Sequence, residues 1–271
     1  MTRVVFLDVD GTLIDHTQHA SASTKRACRA AVDNGHVLVL STGRSMPEIY
    51  PELWDLGCTG IVSANGAYVR VGEDVLVDLP IVGQDIVDVS QLLTQAHAAF
   101  VWQGVDGLFV PPYYKDSLDA MLGGGGGVWS TYLDYVDQFI HVDTPARSSK
   151  CTFGIPYNGP LGFSDIEEHC AGRFTVVAGS VSTDRGFTGE ITALGVNKGE
   201  GMRVVADHLG VPMADTVAVG DSANDREMLE VAGVGIAMGN GTPQVKAVAD
   251  WVTAPINEDG LEKAFEYAGL I

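Results

Sequence analysis

The sequence predicts a doubly wound, mostly parallel α/β sheet interrupted by an inserted α+β domain. Three observations carry that expectation. Both ends of the 271-residue chain alternate short apolar runs with helical segments. The runs are continuously apolar and β-branched, as in strands covered on both faces, rather than alternating. Between roughly residues 82 and 189 the alternation gives way to a stretch rich in aromatic residues and strand-like segments. The expected division is therefore 1–82 and 190–271 for the parallel domain and 83–189 for the insert.

In order, "RVVFLDVD" reads as a buried strand. "SASTKRACRAAVDNG" reads as a helix with Ser or Thr to cap it and Gly35 to end it. "HVLVLSTGR" is a second strand and "SMPEIYPELWDLG" a second, proline-containing helix. "GIVSANGAYVRVGEDVLVDLP" is a short strand followed by a hairpin turning near Gly72. In the insert, "DIVDVSQLLTQAHA", "SDIEEHCAG" and part of "SLDAML" are expected helices. "AFVWQG", "GLFVPPYY", "KCTFGIPY", "RFTVVAGS" and "GFTGEITA" are expected strands, and Gly123 to Gly127 a loop tip. Alternation resumes with "KGEGMRVVADHLG" (helix), "DTVAVGD" (strand), "NDREMLEVAG" (helix) and "VGIAMGNG" (strand to turn). "TPQVKAVAD" follows as a helix capped by Thr242 with Pro243 first, then "WVTAP" and a closing helix in "EDGLEKAFEYAG".

Composition narrows the function. Against 16 basic residues stand 35 acidic ones, a net charge of -19 that repels nucleic acid and anionic lipid alike. Neither is an expected partner. Four cysteines, Cys28, Cys58, Cys151 and Cys170, form no CxxC pair, which argues against a disulfide frame or a zinc site. Asp8 breaks the N-terminal apolar run, so it is no signal peptide, and no segment approaches the ~18 uncharged apolar residues of a membrane span. The expected location is the cytoplasm.

Ligands of doubly wound sheets bind beyond the carboxyl ends of the strands. Three expected strands end in polar clusters: Asp8 and Asp10; Ser41, Thr42, Gly43 and Arg44; and Asp221, followed by Asn224 and Asp225. If those strands are neighbours, several carboxylates converge, and an oxygen-only set favours Mg²⁺. A calcium EF-hand loop is excluded, because its sixth position would be Leu13 and its twelfth His19. "STGRS" places hydroxyls and backbone N–H groups where an anion would sit, and Arg44 offers a forked donor. Lys198 stands at a helix start, where the macrodipole disfavours a cation, which calls for a local carboxylate or phosphate. Serine-hydrolase and phosphate-loop motifs are absent, the glycines of "GVGIAMGNG" miss the dinucleotide spacing, and His16 and His19 lack further soft ligands.

"DVDGT", "STGR", the isolated Lys198 and "GDSANDREM", in that order with a large insert between the second and third, resemble the haloacid dehalogenase-like phosphohydrolase superfamily. "SANGAYV" and "EITALGVNKGEGM" resemble its Cof-type, sugar-phosphatase branch. The resemblance implies a Rossmann-like catalytic core and an α/β cap that reads the substrate. It implies Asp8 as nucleophile, Asp10 as acid and base, Thr42 on a phosphate oxygen, and Lys198 balancing charge. It also implies Mg²⁺ held by Asp8, the Asp10 carbonyl and Asp221, with Asp225 and Asn224 ordering that shell, and Gly43, Arg44, Asn65 and Asn224 near the substrate. The implied substrate is a small phosphorylated metabolite, and the few basic residues of the insert (Lys115, Arg147, Lys150, Arg173 and Arg185) point to a mostly neutral leaving group. A phosphosugar mutase and a non-catalytic phospholigand sensor remain alternatives at this level.

Overall fold

The structure is a computed structural model and describes residues 2–122, 130–179 and 185–271. It separates into two compact units, one of Met1–Arg44, Ile49–Asp78 and Asn197–Ile271, the other of Ser45–Glu48 and Leu79–Val196. The pentaglycine Gly123 to Gly127 lies outside the described residues.

The chain opens with β1 (Val4–Leu7), all four residues buried. α1 (Ala22–Asp33) follows, with Ser21 as its cap: the Ser21 hydroxyl accepts from Thr24 N–H at 3.1 Å. β2 (Val37–Ser41) comes next. The expected helix over "SMPEIYPELWDLG" is instead a 3₁₀ turn at Met46–Glu48 and a four-residue α2 (Pro51–Trp54). Pro47 and Pro51 lack the N–H groups that a continuous helix would need, and Pro51 starts α2 at its tolerated first position. Glu48 meanwhile belongs to the second unit, where its Oε1 accepts from Gln103 Nε2 at 2.9 Å and from the Tyr132 hydroxyl. β3 (Cys58–Ser63), β4 (Tyr68–Val71) and β5 (Asp74–Asp78) complete this half, the last two forming the expected hairpin around Gly72.

The second unit contains β6 (Ile81–Val82), α3 (Gln84–Gln95), β7 (Ala99–Gln103), β8 (Leu108–Phe109), α4 (Tyr114–Leu122), α5 (Ser130–Val136), β9 (Ile140–His141), β10 (Arg147–Ser148), β11 (Lys150–Pro156), α6 (Phe163–Cys170), β12 (Phe174–Ala178) and β13 (Gly186–Ala193). The strand expected over "GLFVPPYY" stops after two residues, because Pro111 and Pro112 remove two ladder donors and α4 begins at Tyr114. Helix α5 had no counterpart in the sequence reading. Among the described residues β12, β13, β11, β7, β8 and β9 form a six-stranded sheet in that order, and Ile86, Val89, Leu93, Trp102, Phe153 and Ile166 belong to its core.

The chain then returns to the first unit with α7 (Lys198–Leu209), β14 (Thr216–Gly220), α8 (Arg226–Val231), β15 (Val234–Ala237), α9 (Pro243–Lys246), β16 (Trp251–Val252) and α10 (Gly260–Tyr267). Thr242 caps α9, its hydroxyl accepting from Val245 N–H at 3.4 Å, with Pro243 at the first position as expected. Here the sheet order is β16-β15-β14-β1-β2-β3-β4-β5, parallel from β16 to β3 and antiparallel where β3 meets β4 and β4 meets β5. β1 lies between β2 and β14, where the strand order reverses, and this is where such sheets open a crevice at their carboxyl ends. Leu7 is level with both Leu40 and Val219, so the residues that follow all three strands emerge at one edge.

Helix α7 approaches this sheet closely at Gly201. A Cβ on Gly201 would stand 2.4 Å from Val62 Cγ1, well inside van der Waals contact. Gly201→Val is therefore expected to destabilise the protein by about 1–3 kcal/mol through overpacking, read as a lowered midpoint in denaturant with an unchanged slope.

Candidate active site

The site forms where β1, β2 and β14 end. Asp8, the first residue beyond β1, keeps the ladder going by donating its N–H to Val219 O at 3.0 Å. Its carboxylate is buried, and Lys198 Nζ donates to its Oδ1 at 2.7 Å. The same ammonium donates to Asp225 Oδ1 at 2.6 Å, and both Lys198 and Asp225 are fully buried. Lys198 thus occupies the first position of α7, against the macrodipole, because two carboxylates outweigh that cost. Asn197 caps the helix, its Oδ1 accepting from Glu200 N–H at 2.9 Å. Asp225 Oδ2 in turn accepts from the N–H groups of Asp221 and Ser222, each at 2.9 Å, which fixes the turn after β14.

Asp8, Asp221 and Asp225 each direct a carboxylate oxygen to within 4.8 Å of the others. Burial, reinforced by Asp225, pushes the Asp8 carboxyl well above the usual range, with Lys198 opposing. Burial and then Asp225 push Asp221 up to about 7. For Lys198 burial acts downward, yet Asp225 and Asp8 outweigh it and the ammonium is held more firmly than usual. Once ionised, three carboxylates against one ammonium leave two negative charges in excess, the charge of one divalent cation. Asp8 Oδ2 and Asp221 Oδ1 are buried atoms with no hydrogen-bond partner, the donor set that a hard oxygen-seeking ion such as Mg²⁺ would satisfy. Gly11 leaves room for that set. It has φ 89°, and a Cβ there would fall 2.4 Å from Asp221 Oδ2.

The remaining expected residues form two further groups. Thr42, buried after β2, accepts from Arg44 N–H through its hydroxyl at 3.1 Å. Asn65 lies against this loop: it donates its N–H to Thr42 O at 3.0 Å, and its Oδ1 accepts from Asn224 Nδ2 at 2.9 Å. A Cβ on Gly43 would be 3.2 Å from Asn65 Oδ1 and 3.3 Å from Asn224 Nδ2, so Gly43, Asn65 and Asn224 share one corner. The Asp10 side chain stands apart from the acidic trio. Arg44 donates to it through Nε to Oδ2 at 2.8 Å and Nη2 to Oδ1 at 2.6 Å. His16 and His19 lie exposed, outside the cluster.

Three polar residues had no signal in the sequence reading. Asn240 Nδ2 donates to Gly11 O at 2.9 Å and lies 3.4 Å from Asp221 Oδ2; its "GNG" context marks only a turn. Gln18 and Tyr50 both contact the Arg44 side chain.

The raised pKa values predict a pH dependence. A carboxyl whose pKa folding raises stabilises the native state while protonated, fully below its ordinary value, and that contribution fades as pH climbs through the folded value. For Asp221 the window runs from 3.8 to about 7. Metal-free protein is expected to lose thermal stability across it, and Asp221→Asn to flatten that loss. Added Mg²⁺ should raise the melting midpoint strongly at pH 8 and little at pH 5, as differential scanning calorimetry would read.

A family model for haloacid dehalogenase-like hydrolases matches residues 5–265. The chain is 30% identical to the 5-amino-6-(5-phospho-D-ribitylamino)uracil phosphatase YitU of Bacillus subtilis, over 98% of each protein. It is 28% identical to phosphatase YwpJ of the same organism, over 96% of this chain and 97% of that one. Among solved structures, a HAD subclass IIB sugar phosphatase matches with TM-score 0.78 and 26% identity, over 99% of this chain and 100% of the other. With the strand-end carboxylates, the buried lysine and an end-to-end match, this chain belongs to the haloacid dehalogenase-like hydrolase family.

Proposed function

We propose that the chain is a Mg²⁺-dependent phosphatase of small phosphomonoesters, sugar phosphates foremost, that carries the phosphoryl group on Asp8 during turnover. The observation behind this reading is the convergence of Asp8, Asp221 and Asp225, with the buried pair Asp8 and Asp225 clamped by Lys198 and with Asp8 Oδ2 and Asp221 Oδ1 left without partners. Asp8, the Asp10 carbonyl and Asp221 would hold the ion, with Asp225 fixing the turn that presents Asp221. Bound there, Mg²⁺ supplies charge neutralisation for the phosphoryl oxygens.

The chain's own residues supply the rest. Lys198 fixes the plane of the Asp8 carboxylate through Oδ1. An Asp8 oxygen attacks phosphorus, the new P–O bond forms, and the bond to the leaving oxygen breaks as Asp10 hands that oxygen a proton. Asp10, now ionised, takes a proton from water as the water oxygen attacks phosphorus. The Asp8–phosphorus bond then breaks, releasing phosphate and restoring both carboxyl groups. Thr42 and its neighbouring N–H groups hold phosphoryl oxygens in line. Gly43, Arg44, Asn65 and Asn224 border that position.

The inserted domain, over 83–189, is read as the cap that selects the leaving group. Lys115, Lys150 and Arg173 already face carboxylates there, at 3.3, 2.8 and 3.1 Å from Asp137, Glu190 and Asp85. That pairing leaves less positive charge for a second anionic group and favours a neutral, polyhydroxylated alcohol. Two of the similar proteins, a 5-amino-6-(5-phospho-D-ribitylamino)uracil phosphatase and a sugar phosphatase, point the same way. No helix among the described residues is long and apolar enough to cross a membrane.

Phosphate release from a panel of sugar phosphates, with Mg²⁺ and after chelation, tests the reading. Chelation is expected to abolish release and Mg²⁺ to restore it. Asp8→Asn is expected to lower kcat by more than about 10³-fold. Full metal-dependent turnover by Asp8→Asn would overturn the proposal. Lys198→Met, which strands two buried carboxylates, is expected to destabilise the fold by about 3–5 kcal/mol at neutral pH, measured by denaturant unfolding.

A further inference from the structure

Gln18 has an arrangement that its surroundings do not require. It is buried in the otherwise exposed stretch 16–19, and its backbone has φ 65°, a left-handed conformation uncommon for a residue with a side chain. The turn that holds it is built locally: Gln18 N–H donates to Asp15 O at 2.9 Å, and Asp15 Oδ1 accepts from Thr17 N–H and hydroxyl at 2.8 and 2.6 Å. Its side-chain oxygen then accepts twice, from Arg44 Nη2 at 2.6 Å and from the Tyr50 hydroxyl at 2.9 Å. Arginine only donates, so the amide orientation is settled by chemistry.

The Arg44 guanidinium is thereby fixed on two sides. Its central carbon lies 4.8 Å from the centroid of the Tyr50 ring, and Nη2 is pinned by Gln18. From that position it presents a fork, Nε and Nη2, to the two oxygens of Asp10, each of which keeps a second lone pair on which the transferred proton can sit. Asp10 itself is half exposed at 49%, whereas Arg44 is 6% exposed, so the arginine is the anchored partner and the carboxylate the one being aimed. Gln18 suits the task because it is neutral. A glutamate there would compete with Asp10 for the charge of Arg44, and an apolar residue would remove the oxygen on which Arg44 Nη2 and the Tyr50 hydroxyl converge.

We propose that Gln18, braced by Tyr50, is a positioning residue that acts through Arg44 to aim the Asp10 carboxyl at the leaving-group oxygen. The inference rests on the reading of Asp10 as the proton donor to that oxygen. The strained turn at 15–18 is the fixed support, Tyr50 the second brace, and Arg44 the lever between them and Asp10.

The test compares leaving groups. An alkyl phosphate such as a sugar 6-phosphate expels a basic alkoxide and depends on the proton, whereas 4-nitrophenyl phosphate expels a phenolate that leaves without one. Because kcat/KM reports steps through leaving-group departure, it isolates this proton transfer. Gln18→Leu in the full-length Mg²⁺-loaded protein is expected to lower kcat/KM for the alkyl phosphate by about 10-fold to 100-fold. The aryl phosphate should change by less than about threefold, well short of a misaligned general acid's cost. Tyr50→Phe, which keeps the ring and loses the hydroxyl, should show the same selectivity at smaller size and carries the test if Gln18→Leu fails to fold. Equal losses on both substrates, or none on either, overturn the proposal. Asp10→Asn, run beside them, separates the two readings. If it is leaving-group selective while the Gln18 and Tyr50 variants are not, the positioning role is wrong and the acid role stands. If Asp10→Asn shows no selectivity, the acid role is wrong and the inference falls with it.

Discussion

The buried ammonium of Lys198 between Asp8 and Asp225 is the interaction on which the rest of the site depends. Three carboxylates converge at the carboxyl edge of the parallel sheet, and burial makes each ionised charge there costly. Lys198 offsets part of that cost, and its own burial is tolerated only because two carboxylates meet it. The neighbouring geometry follows. Asp225 turns its second oxygen to the backbone after β14 and so orients Asp221. Gly201 seats α7 close against β3, and Gly199 close against α8, in the helix from whose first position Lys198 reaches Asp8.

What the lysine leaves uncompensated defines the chemistry. Two negative charges and two unpartnered carboxylate oxygens make a site whose balance a divalent cation would restore. Stability and function therefore pull against each other at Asp8 and Asp221, whose carboxyls burial and Asp225 bias toward the protonated form without the ion. Such a cluster is hard to explain as a device for stability alone and easy to explain as a site for a phosphoryl group and its metal.

Around this centre lies a layer of neutral polar residues that aim the charged ones. Asn65 and Asn224 brace the loop after β2, Asn240 bonds the turn at Gly11, and Gln18 with Tyr50 fixes Arg44. Each uses an amide or hydroxyl, which directs a neighbour without adding to the crowded charge.

Most of the parallel core was legible in the sequence, because buried strands announce themselves as unbroken apolar runs and helices by their caps, as Ser21 and Thr242 show. The charged residues of the candidate site were conspicuous too, since Asp8, Asp10, Asp221 and Lys198 stand where a strand end or a helix start would not ordinarily place them. The short and irregular pieces were less so: two prolines split the segment after β2, and two more ended β8 early. Gln18, Tyr50 and Asn240 gave no signal at all, for a physical reason. Their roles come from partners distant in the chain, Arg44 from Gln18 and Gly11 from Asn240, and a neutral polar side chain looks the same on a solvated loop as beneath a catalytic group. Local sequence thus determined the strands, the helix starts and the inventory of charge. Only tertiary structure decided which charges meet, because level strand ends, a close-packed helix and one left-handed turn bring together groups that sequence spacing keeps far apart.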